Sequence, residues 1–294
     1  MEHILTALPP RLREGFLSLT PADWGELEEI RLRPHAPILL RFRAGERELP
    51  GPKVLPGEPE LMLEIASRAS LHTVLPQLRQ GYLTLKGGHR LGVCGSVRLR
   101  EGELHAISPI SSLNLRLARQ VRGAGEGLME KLCPDGAFRS VLILAPPGAG
   151  KTTLLRDIVR CLSDGVKCRP HRVGLADERG EVAALYRGEP QLDVGRRTDV
   201  MEGCPKAQAL MLLLRGMNPE VLCADEITAP EDIRAMETAA GCGVELLCTA
   251  HGRSREELMR RKLYRELLEV GVFHTLLTIC AENGTRRYEM EELT

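Results

Sequence analysis

Four short, uninterrupted apolar runs mark the second half of the 294-residue chain, and segments with helical spacing lie between them. The runs begin at Val141, Val173, Val221 and Val244. An apolar run without alternation is typical of a strand that is buried on both faces, as in a parallel sheet covered by helices. The pattern predicts an α/β fold with a mainly parallel sheet and right-handed crossovers. Asn283-Gly284, between two further strand candidates, predicts a terminal hairpin.

The first part of the chain predicts a different kind of sheet, because its candidate strands alternate apolar residues with polar or charged ones. This alternation is present at residues 29–33 and at residues 112–119, and it is typical of strands with one exposed face. We predict a smaller α+β domain over residues 1–122. Turn-forming composition follows and predicts a linker over residues 123–136, so that the α/β domain occupies residues 137–294.

Composition narrows the partners that this chain is expected to have. Lys and Arg number 40, as do Asp and Glu, and aromatic residues make up only 3%, which disfavours a stable nucleic-acid partner. The nine cysteines include no CxxC pair, so we expect free thiols in a reducing compartment and no zinc. The start of the chain lacks the pattern of a signal peptide, and no run of about 18 apolar residues is present. We therefore predict a cytoplasmic protein.

A phosphate-binding loop is indicated at Ala145–Thr152, Ala-Pro-Pro-Gly-Ala-Gly-Lys-Thr, which follows a buried run and opens a helical segment. The segment matches the P-loop pattern, except that alanine replaces glycine at the first position. Gly148 and Gly150 let backbone N–H groups approach phosphate oxygens. Lys151 should reach the β- and γ-phosphates, and the Thr152 hydroxyl should ligate Mg²⁺. The alternative interpretation is a chance match to the motif at the start of a helix. The predicted nucleotide-binding residues are Ala145, Pro146, Pro147, Gly148, Ala149, Gly150, Lys151, Thr152 and Thr153.

Two adjacent carboxylates, Asp225 and Glu226, end the apolar run that begins at Val221. In an open α/β sheet, functional residues gather at the carboxyl ends of the strands, so we expect these side chains near the P-loop. We predict that Asp225 holds Mg²⁺ through water and that Glu226 is the catalytic group that polarises the attacking water. Acidic residues at a solvated strand end are the alternative. Together the two motifs predict an ATPase that binds ATP and Mg²⁺.

Two more strand ends carry polar groups. Asp177-Glu178-Arg179 follows the run at Val173, and Thr249-Ala250-His251-Gly252 follows the run at Val244. We expect both segments at the same sheet edge as the P-loop, which makes Glu178 and His251 candidates for catalytic roles. For His251 the expected role is that of a phosphate sensor or a switch. A structural histidine and a surface turn are the alternative interpretations.

The order of these motifs resembles that in the ATPases of type II and type IV secretion systems and of pilus motors. In this comparison residues 177–181 form an acidic box and residues 249–252 form a His box. The acidic box departs from the usual secretion pattern, which leaves the separate roles of Asp177 and Glu178 open. Further segments resemble a sporulation branch of the family, and the resemblance covers most of the chain. These segments are Glu-Ile-Arg-Leu-Arg at 29–33, Gly-His-Arg-Leu-Gly-Val-Cys-Gly at 88–95, Asn-Leu-Arg-Leu-Ala-Arg at 114–119, Arg-Arg-Thr-Asp-Val at 196–200 and Asp-Glu-Ile at 225–227.

The resemblance implies a RecA-like ATPase domain that follows the N-terminal domain and assembles as a hexameric ring with nucleotide between subunits. In that family, arginines of the neighbouring subunit complete the site, and a solvated surface charge is the alternative for each candidate. The candidates are Arg90, Arg116, Arg119, Arg179, Arg196, Arg197 and Arg215. The resemblance also implies membrane-embedded channel proteins of a sporulation or secretion complex as partners, and a peripheral location at the inner face of the cell membrane. Some type II members of the family carry a tetracysteine metal module. This chain has no matching cysteine pairs, so we expect no zinc site.

Three functions are consistent with these observations. The leading hypothesis is a motor ATPase in which hydrolysis moves one domain relative to another. A nucleic-acid-dependent P-loop ATPase is the alternative, which the zero net charge and the few aromatic residues disfavour. A nucleotide-binding scaffold with little turnover is the third, and Glu226 argues against it because a scaffold needs no catalytic carboxylate.

Overall fold

The computed structural model of the chain describes residues 2–67, 75, 77–79, 81–282 and 285–293. The chain divides into two compact units. The first unit contains Met1–Arg119 and Tyr186–Gln191, and the second contains Gln120–Leu185 and Leu192–Thr294. In the part of the chain that is described, no helix is both long enough and apolar enough to cross a bilayer.

The first unit is built on a six-stranded sheet. Its strands are β1 (Leu27–Leu32), β2 (Leu39–Phe42), β3 (Gly45–Glu48), β4 (Tyr82–Thr84), β5 (Arg90–Arg100) and β6 (Glu103–Arg116). They lie in the order β3-β2-β1-β6-β5-β4, and every neighbouring pair is antiparallel. The helices described in this unit are α1 (Glu2–Ala7), α2 (Pro10–Arg13), α3 (Pro21–Glu26) and α4 (Glu58–Ser67), with a 3-10 helix at Glu14–Ser18.

The alternation that predicts strands near residues 29–33 and 112–119 corresponds to β1 and β6, which pair with each other. Ile30 lies opposite Leu115, and both side chains are fully buried. The neighbouring pair, Glu29 and Arg116, is directly opposed as well, and its charged groups are 3.8 Å apart. One face of this sheet therefore contributes to a hydrophobic core, while the other carries charge, as the alternation predicts.

The second unit is built on a seven-stranded sheet. Its strands are β7 (Val141–Ala145), β8 (Val173–Asp177), β11 (Thr198–Glu202), β12 (Val221–Ala224), β13 (Glu245–His251), β14 (Thr275–Glu282) and β15 (Thr285–Glu292). Two short strands, β9 (Leu185–Tyr186) and β10 (Glu189–Pro190), form a separate ribbon, of which all but Leu185 belongs to the first unit. The order is β11-β8-β12-β13-β7-β14-β15, and all pairs are parallel except the hairpin of β14 and β15. The turn of that predicted hairpin, at residues 283–284, lies outside the described residues.

Helices cover both faces of this sheet. They are α5 (Met129–Leu132), α6 (Lys151–Asp164), α7 (Lys206–Met217), α8 (Pro230–Gly241), α9 (Arg255–Arg260) and α10 (Lys262–Glu269), with a 3-10 helix at Pro134–Gly136. Val141 and Ile143 of β7 belong to one core with residues of α6, whereas Leu142 and Leu144 belong to a second core with residues of α7 and α8. The uninterrupted apolar run is thus explained, because successive residues enter opposite cores. The predicted mainly parallel α/β sheet is confirmed.

The segment for which the sequence predicts a linker, residues 123–136, packs within the second unit. The backbone N–H of Gly125 donates to Oδ2 of Asp157, which is fully buried in α6, at 2.7 Å. Met129 and Leu132 are buried in the same core as α6. These contacts hold residues 123–136 within the second unit, where their turn-forming composition accounts for the irregular backbone.

Candidate functional site

The P-loop connects the carboxyl end of β7 to the first turn of α6. Ala145 is the last residue of β7, so its backbone is extended and the alanine in place of glycine is accommodated. Gly148 and Gly150 have φ values of 76° and 99°, in the left-handed region that favours glycine. α6 begins at Lys151, where the N–H groups of the first turn have no partner within the helix. The loop therefore presents backbone donors of the kind that bind phosphate.

A hydroxyl of the P-loop helix joins the first carboxylate at the end of β12. Oγ1 of Thr152 donates to Oδ2 of Asp225 at 2.7 Å. The other oxygen, Oδ1, accepts from Oγ1 of Thr249 at 2.6 Å. The same Thr249 hydroxyl accepts the backbone N–H of Glu226 at 2.8 Å. The structure thus places the predicted metal-ligating residues side by side and fixes the orientation of the Asp225 carboxylate.

Thr249 is a site residue to which the sequence interpretation assigns no role. It is fully buried, and it lies two residues before His251 in β13. Residues two apart in a strand point to the same face, so Thr249 lies on the same face of β13 as His251. This spacing could have identified Thr249 from the sequence.

His251 lies between the P-loop lysine and the second carboxylate. Its Nδ1 is 2.8 Å from Nζ of Lys151, and its Nε2 is 3.0 Å from Oε1 of Glu226. A lysine ammonium can only donate, so Nδ1 accepts, and the proton of the neutral ring lies on Nε2, from which it is donated to Glu226. Three residues from three different segments therefore form one hydrogen-bonded chain.

Glu226 itself has an unusual backbone. Its φ is 49°, which is a left-handed conformation that few residues other than glycine and asparagine adopt without cost. The conformation turns the chain sharply after β12, so that Asp225 and Glu226 direct their carboxylates to Thr152 and His251 respectively. Backbone strain of this kind is found where a side chain must be held in one orientation.

Lys151 is nearly buried, with 7% of its surface exposed. This burial lowers the pKa of the Lys151 ammonium from its ordinary value, while the nearby Asp225 and Glu226 carboxylates raise it and partly oppose the effect. A desolvated cation in a concave nest of backbone donors interacts more strongly with an anion than an exposed lysine does. The electrostatics of the P-loop are thus suited to phosphate oxygens.

Asp177 of the acidic box is a buried carboxylate with a structural role. Asp177 is only 2% exposed, and it accepts the backbone N–H groups of Glu181, Val182 and Ala183 at 2.8–3.2 Å. Burial raises the pKa of Asp177, although those backbone hydrogen bonds act in the opposite direction. Buried Arg156, which the sequence interpretation did not single out, donates to the carbonyl oxygens of Glu181 and Val182. Asp177 therefore anchors a loop.

Glu178 lies closer to the chemistry but contacts a lysine. Nζ of the nearly buried Lys206 donates to Oε2 of Glu178 at 2.8 Å. Both residues line one depression together with Asp225 and Glu226. Glu178 is thus placed at the sheet edge where it is expected, and Lys206 is a charged neighbour that the sequence interpretation missed.

The arginine candidates have different surroundings. Arg179 lies 3.5 Å from Oε2 of Glu226, a contact within one chain. In the second unit, Arg196 pairs with Asp164, Arg197 donates to the Ser163 carbonyl, and Arg215 is exposed in α7.

In the first unit, three more arginine candidates make local contacts. The Arg90 guanidinium lies over the Tyr82 ring, at 4.3 Å from its centroid. Arg116 lies 3.8 Å from Glu29, and Arg119 donates to backbone carbonyl oxygens, with one of these bonds, to Leu27, at 2.8 Å. Of the arginine candidates, Arg179 contacts a carboxylate of the site, that of Glu226.

The donor set fits Mg²⁺. This ion prefers hard oxygen ligands, and the Thr152 hydroxyl and the Asp225 carboxylate supply two such groups within 2.7 Å of each other. When bound beside a nucleotide, Mg²⁺ would neutralise part of the phosphate charge. Thr152 and Asp225 are the residues that would hold it.

Comparison with known proteins links the chain to one family, through a family model and through a relative of the same description. The model of a family described as sporulation stage III, protein AA, matches residues 1–289. A stage III sporulation protein AA from Bacillus subtilis is 37% identical over 285 residues, which cover 97% of this chain and 92% of that protein.

Two solved structures share the fold. The ATPase DotB of Legionella pneumophila has 16% identity and a TM-score of 0.59, over 92% of this chain and 77% of that one. The pilus retraction motor PilT, solved with ADP, has 15% identity and a TM-score of 0.63, over 90% of this chain and 79% of that one. The fold is therefore that of the RecA-like secretion ATPases.

Proposed function

Since the chain belongs to the sporulation stage III, protein AA family, we propose that it is an ATP-hydrolysing motor of the secretion-ATPase type. One observation carries the proposal: the Thr152 hydroxyl bonds to Asp225 at 2.7 Å, and Glu226 follows Asp225 directly. This pairing brings the N-terminus of a helix, two oxygen groups of the kind that ligate Mg²⁺ and a further carboxylate to one sheet edge. Such a combination is what nucleoside triphosphate hydrolysis requires.

Each residue has a distinct role in this proposal. The first turn of α6 and Lys151 bind the β- and γ-phosphates, while Thr152 and Asp225 hold Mg²⁺. Glu226 accepts a hydrogen bond from the attacking water and takes up its proton. His251 fixes the Glu226 carboxylate through the contact at 3.0 Å. The Thr249 hydroxyl holds the Asp225 carboxylate and the backbone N–H of Glu226.

Assembly and partners extend the proposal. We infer a hexameric ring in which arginines of a neighbouring subunit reach the nucleotide. Support comes from two resemblances: one fold neighbour is named a pilus retraction motor, and the relative from Bacillus subtilis is named a sporulation protein. The ring would act with membrane-embedded channel proteins of a sporulation complex, at the inner face of the cell membrane.

A Glu226→Gln variant tests the hydrolytic role. It keeps the size of the side chain but removes the proton acceptor, so phosphate release should fall by about 10²-fold or more while ATP affinity stays near that of the wild type. Glu237→Gln is the matched control, because Glu237 is an exposed residue of α8. Turnover that is equal in the two variants would remove Glu226 from the base role, and a wild-type protein without ATPase activity in any assembly state would contradict the proposal.

Light scattering after size exclusion tests the assembly. The Glu226→Gln variant should hold ATP and remain in the nucleotide-bound state, so we expect its mass to rise to that of a hexamer when ATP and Mg²⁺ are added. A monomer that hydrolyses ATP as fast as the assembled protein contradicts the motor proposal. Stimulation by single-stranded nucleic acid that disappears steeply with salt would instead favour a nucleic-acid-dependent ATPase.

A further inference from the structure

One guanidinium approaches the P-loop from a strand that none of the motifs includes. A Cβ atom placed on Gly150 would lie 2.7 Å from Nη2, 2.8 Å from Cζ and 3.3 Å from Nε of Arg286. Three atoms of the guanidinium plane are therefore close to the Cα of Gly150. Any side chain at position 150 would displace Arg286, so the glycine serves this close approach as well as the left-handed backbone.

Arg286 has the properties of a cation that is available to an anionic ligand. It is exposed in β15. No carboxylate among the described residues forms an ion pair with it. Its neighbour Arg287, in contrast, lies 3.9 Å from Glu289. A guanidinium beside a nest of backbone N–H groups raises the positive potential of that nest, and its planar fork suits phosphate oxygens.

The strand order indicates the part of the nucleotide that Arg286 would contact. Glu226 follows β12, and His251 ends β13, so both lie on one side of β7 in the sheet. β15 lies on the opposite side of β7, beyond β14. Arg286 thus reaches the P-loop from the side away from the hydrolytic residues. In the proposed site the γ-phosphate lies beside Glu226, so the phosphates nearer to Arg286 are the α- and β-phosphates.

We propose that Arg286 is a nucleotide-binding residue that acts within its own subunit and contacts the α- and β-phosphates, which ATP and ADP share. The inference rests on the proposed function, because it assigns a further contact in the same site. The two cations then have different roles. Lys151 contacts the γ-phosphate end of the nucleotide, near His251 and Glu226. Arg286 contacts the part of the nucleotide that remains after hydrolysis. It follows that Arg286 contributes equally to substrate and product affinity.

Equilibrium titration of the full-length chain with fluorescent ATP and ADP analogues, at fixed Mg²⁺, tests this role. Arg286→Ala should raise the Kd for both nucleotides about tenfold or more, and by the same factor, because a hydrogen bond to a charged group is lost in both complexes. Arg286→Lys keeps the charge but loses the fork, so its Kd values should lie between those of wild type and Arg286→Ala. Arg287→Ala is the matched control, on the opposite face of β15, and should leave both Kd values unchanged.

Other results overturn the inference in distinguishable ways. Lys151→Ala provides the reference for lost binding. If that variant loses nucleotide while Arg286→Ala binds as tightly as wild type, the role of Arg286 is rejected and the proposed function stands. If Arg286→Ala lowers only the unfolding temperature and leaves both Kd values unchanged, Arg286 is structural and the inference is rejected as well. If the wild-type protein binds neither nucleotide, the inference and the proposed function both fail.

Discussion

Nδ1 of His251 lies 2.8 Å from Nζ of Lys151, so the P-loop lysine and the histidine at the end of the neighbouring strand are in direct contact. Because the other ring nitrogen meets Glu226, a change at the lysine is transmitted to the carboxylate through one imidazole. Histidine suits this position, since it can accept at one nitrogen and donate at the other. The contact joins phosphate binding to the group that would activate water.

His251→Ala should lower the rate of ATP hydrolysis about 10- to 150-fold, because Glu226 loses a hydrogen bond of a charged group, worth roughly 1.5–3 kcal/mol. Nucleotide affinity should change much less, since the P-loop remains intact. Steady-state phosphate release and nucleotide titration measure the two effects. His274→Ala is the control, as this side chain is exposed, and equal rates in both variants would contradict the coupling.

Nucleotide affinity should decline as pH rises, and the decline should begin below the ordinary lysine pKa of about 10.4. The reason is that burial lowers the pKa of Lys151, and phosphate binding requires the charged ammonium. As pH passes through the lowered pKa, the ammonium is lost and the Kd for ADP increases. Titrations between about pH 7 and pH 10 measure this dependence.

Lys151→Arg serves as the control for this pH dependence, since a guanidinium remains charged throughout the range. Its Kd for ADP should be higher than that of wild type but constant with pH. The same pH slope in both proteins would show that another group titrates.

Sequence patterns predict β7, β8, β12 and β13 because each is an apolar run that is buried on both faces. They do not predict β11, Thr198–Glu202, in which all five residues are only half-buried and two are acidic. This edge strand depends on its parallel pairing with β8, and no local pattern contains that information.

The residues of the site also fall into two groups, those that the local sequence predicts and those that it does not. Local spacing predicts the P-loop, Asp225, Glu226 and His251, since each follows a recognisable strand. The role of Asp177 depends on a loop that folds back, so that three N–H groups meet its carboxylate, and a list of residues cannot distinguish this from catalysis. Lys206 and Arg286 likewise reach the site only through tertiary packing.

Asp177→Ala should lower the free energy of unfolding by roughly 3 kcal/mol, because the buried N–H groups of Val182 and Ala183 and the half-buried N–H of Glu181 lose their acceptor. Urea denaturation followed by circular dichroism gives this quantity. Glu237→Ala, an exposed change in α8, should stay within about 0.5 kcal/mol of wild type. If Asp177→Ala instead abolished ATP hydrolysis at unchanged stability, the anchoring role would be wrong.

Thr249→Val should slow ATP hydrolysis about tenfold or more while the protein stays folded, because valine has the same shape but lacks the hydroxyl that holds Asp225 and the N–H of Glu226. Thr249→Ser retains the hydroxyl and should keep most of the turnover. The kcat values of the two variants test this role, and equal values would mean that the hydroxyl does not position Asp225 and Glu226 for hydrolysis.

If Glu226 is the proposed base, its positive φ sets stability against activity at one residue. Glycine at this position would relieve a backbone cost of about 1 kcal/mol, and it would also remove the carboxylate. Selection for thermal tolerance alone would therefore drive position 226 toward glycine or asparagine, and only a requirement for turnover retains glutamate. Variants recovered from a stability screen that ignores ATP hydrolysis should accumulate at this position, and inactive homologues that keep the fold should differ here first.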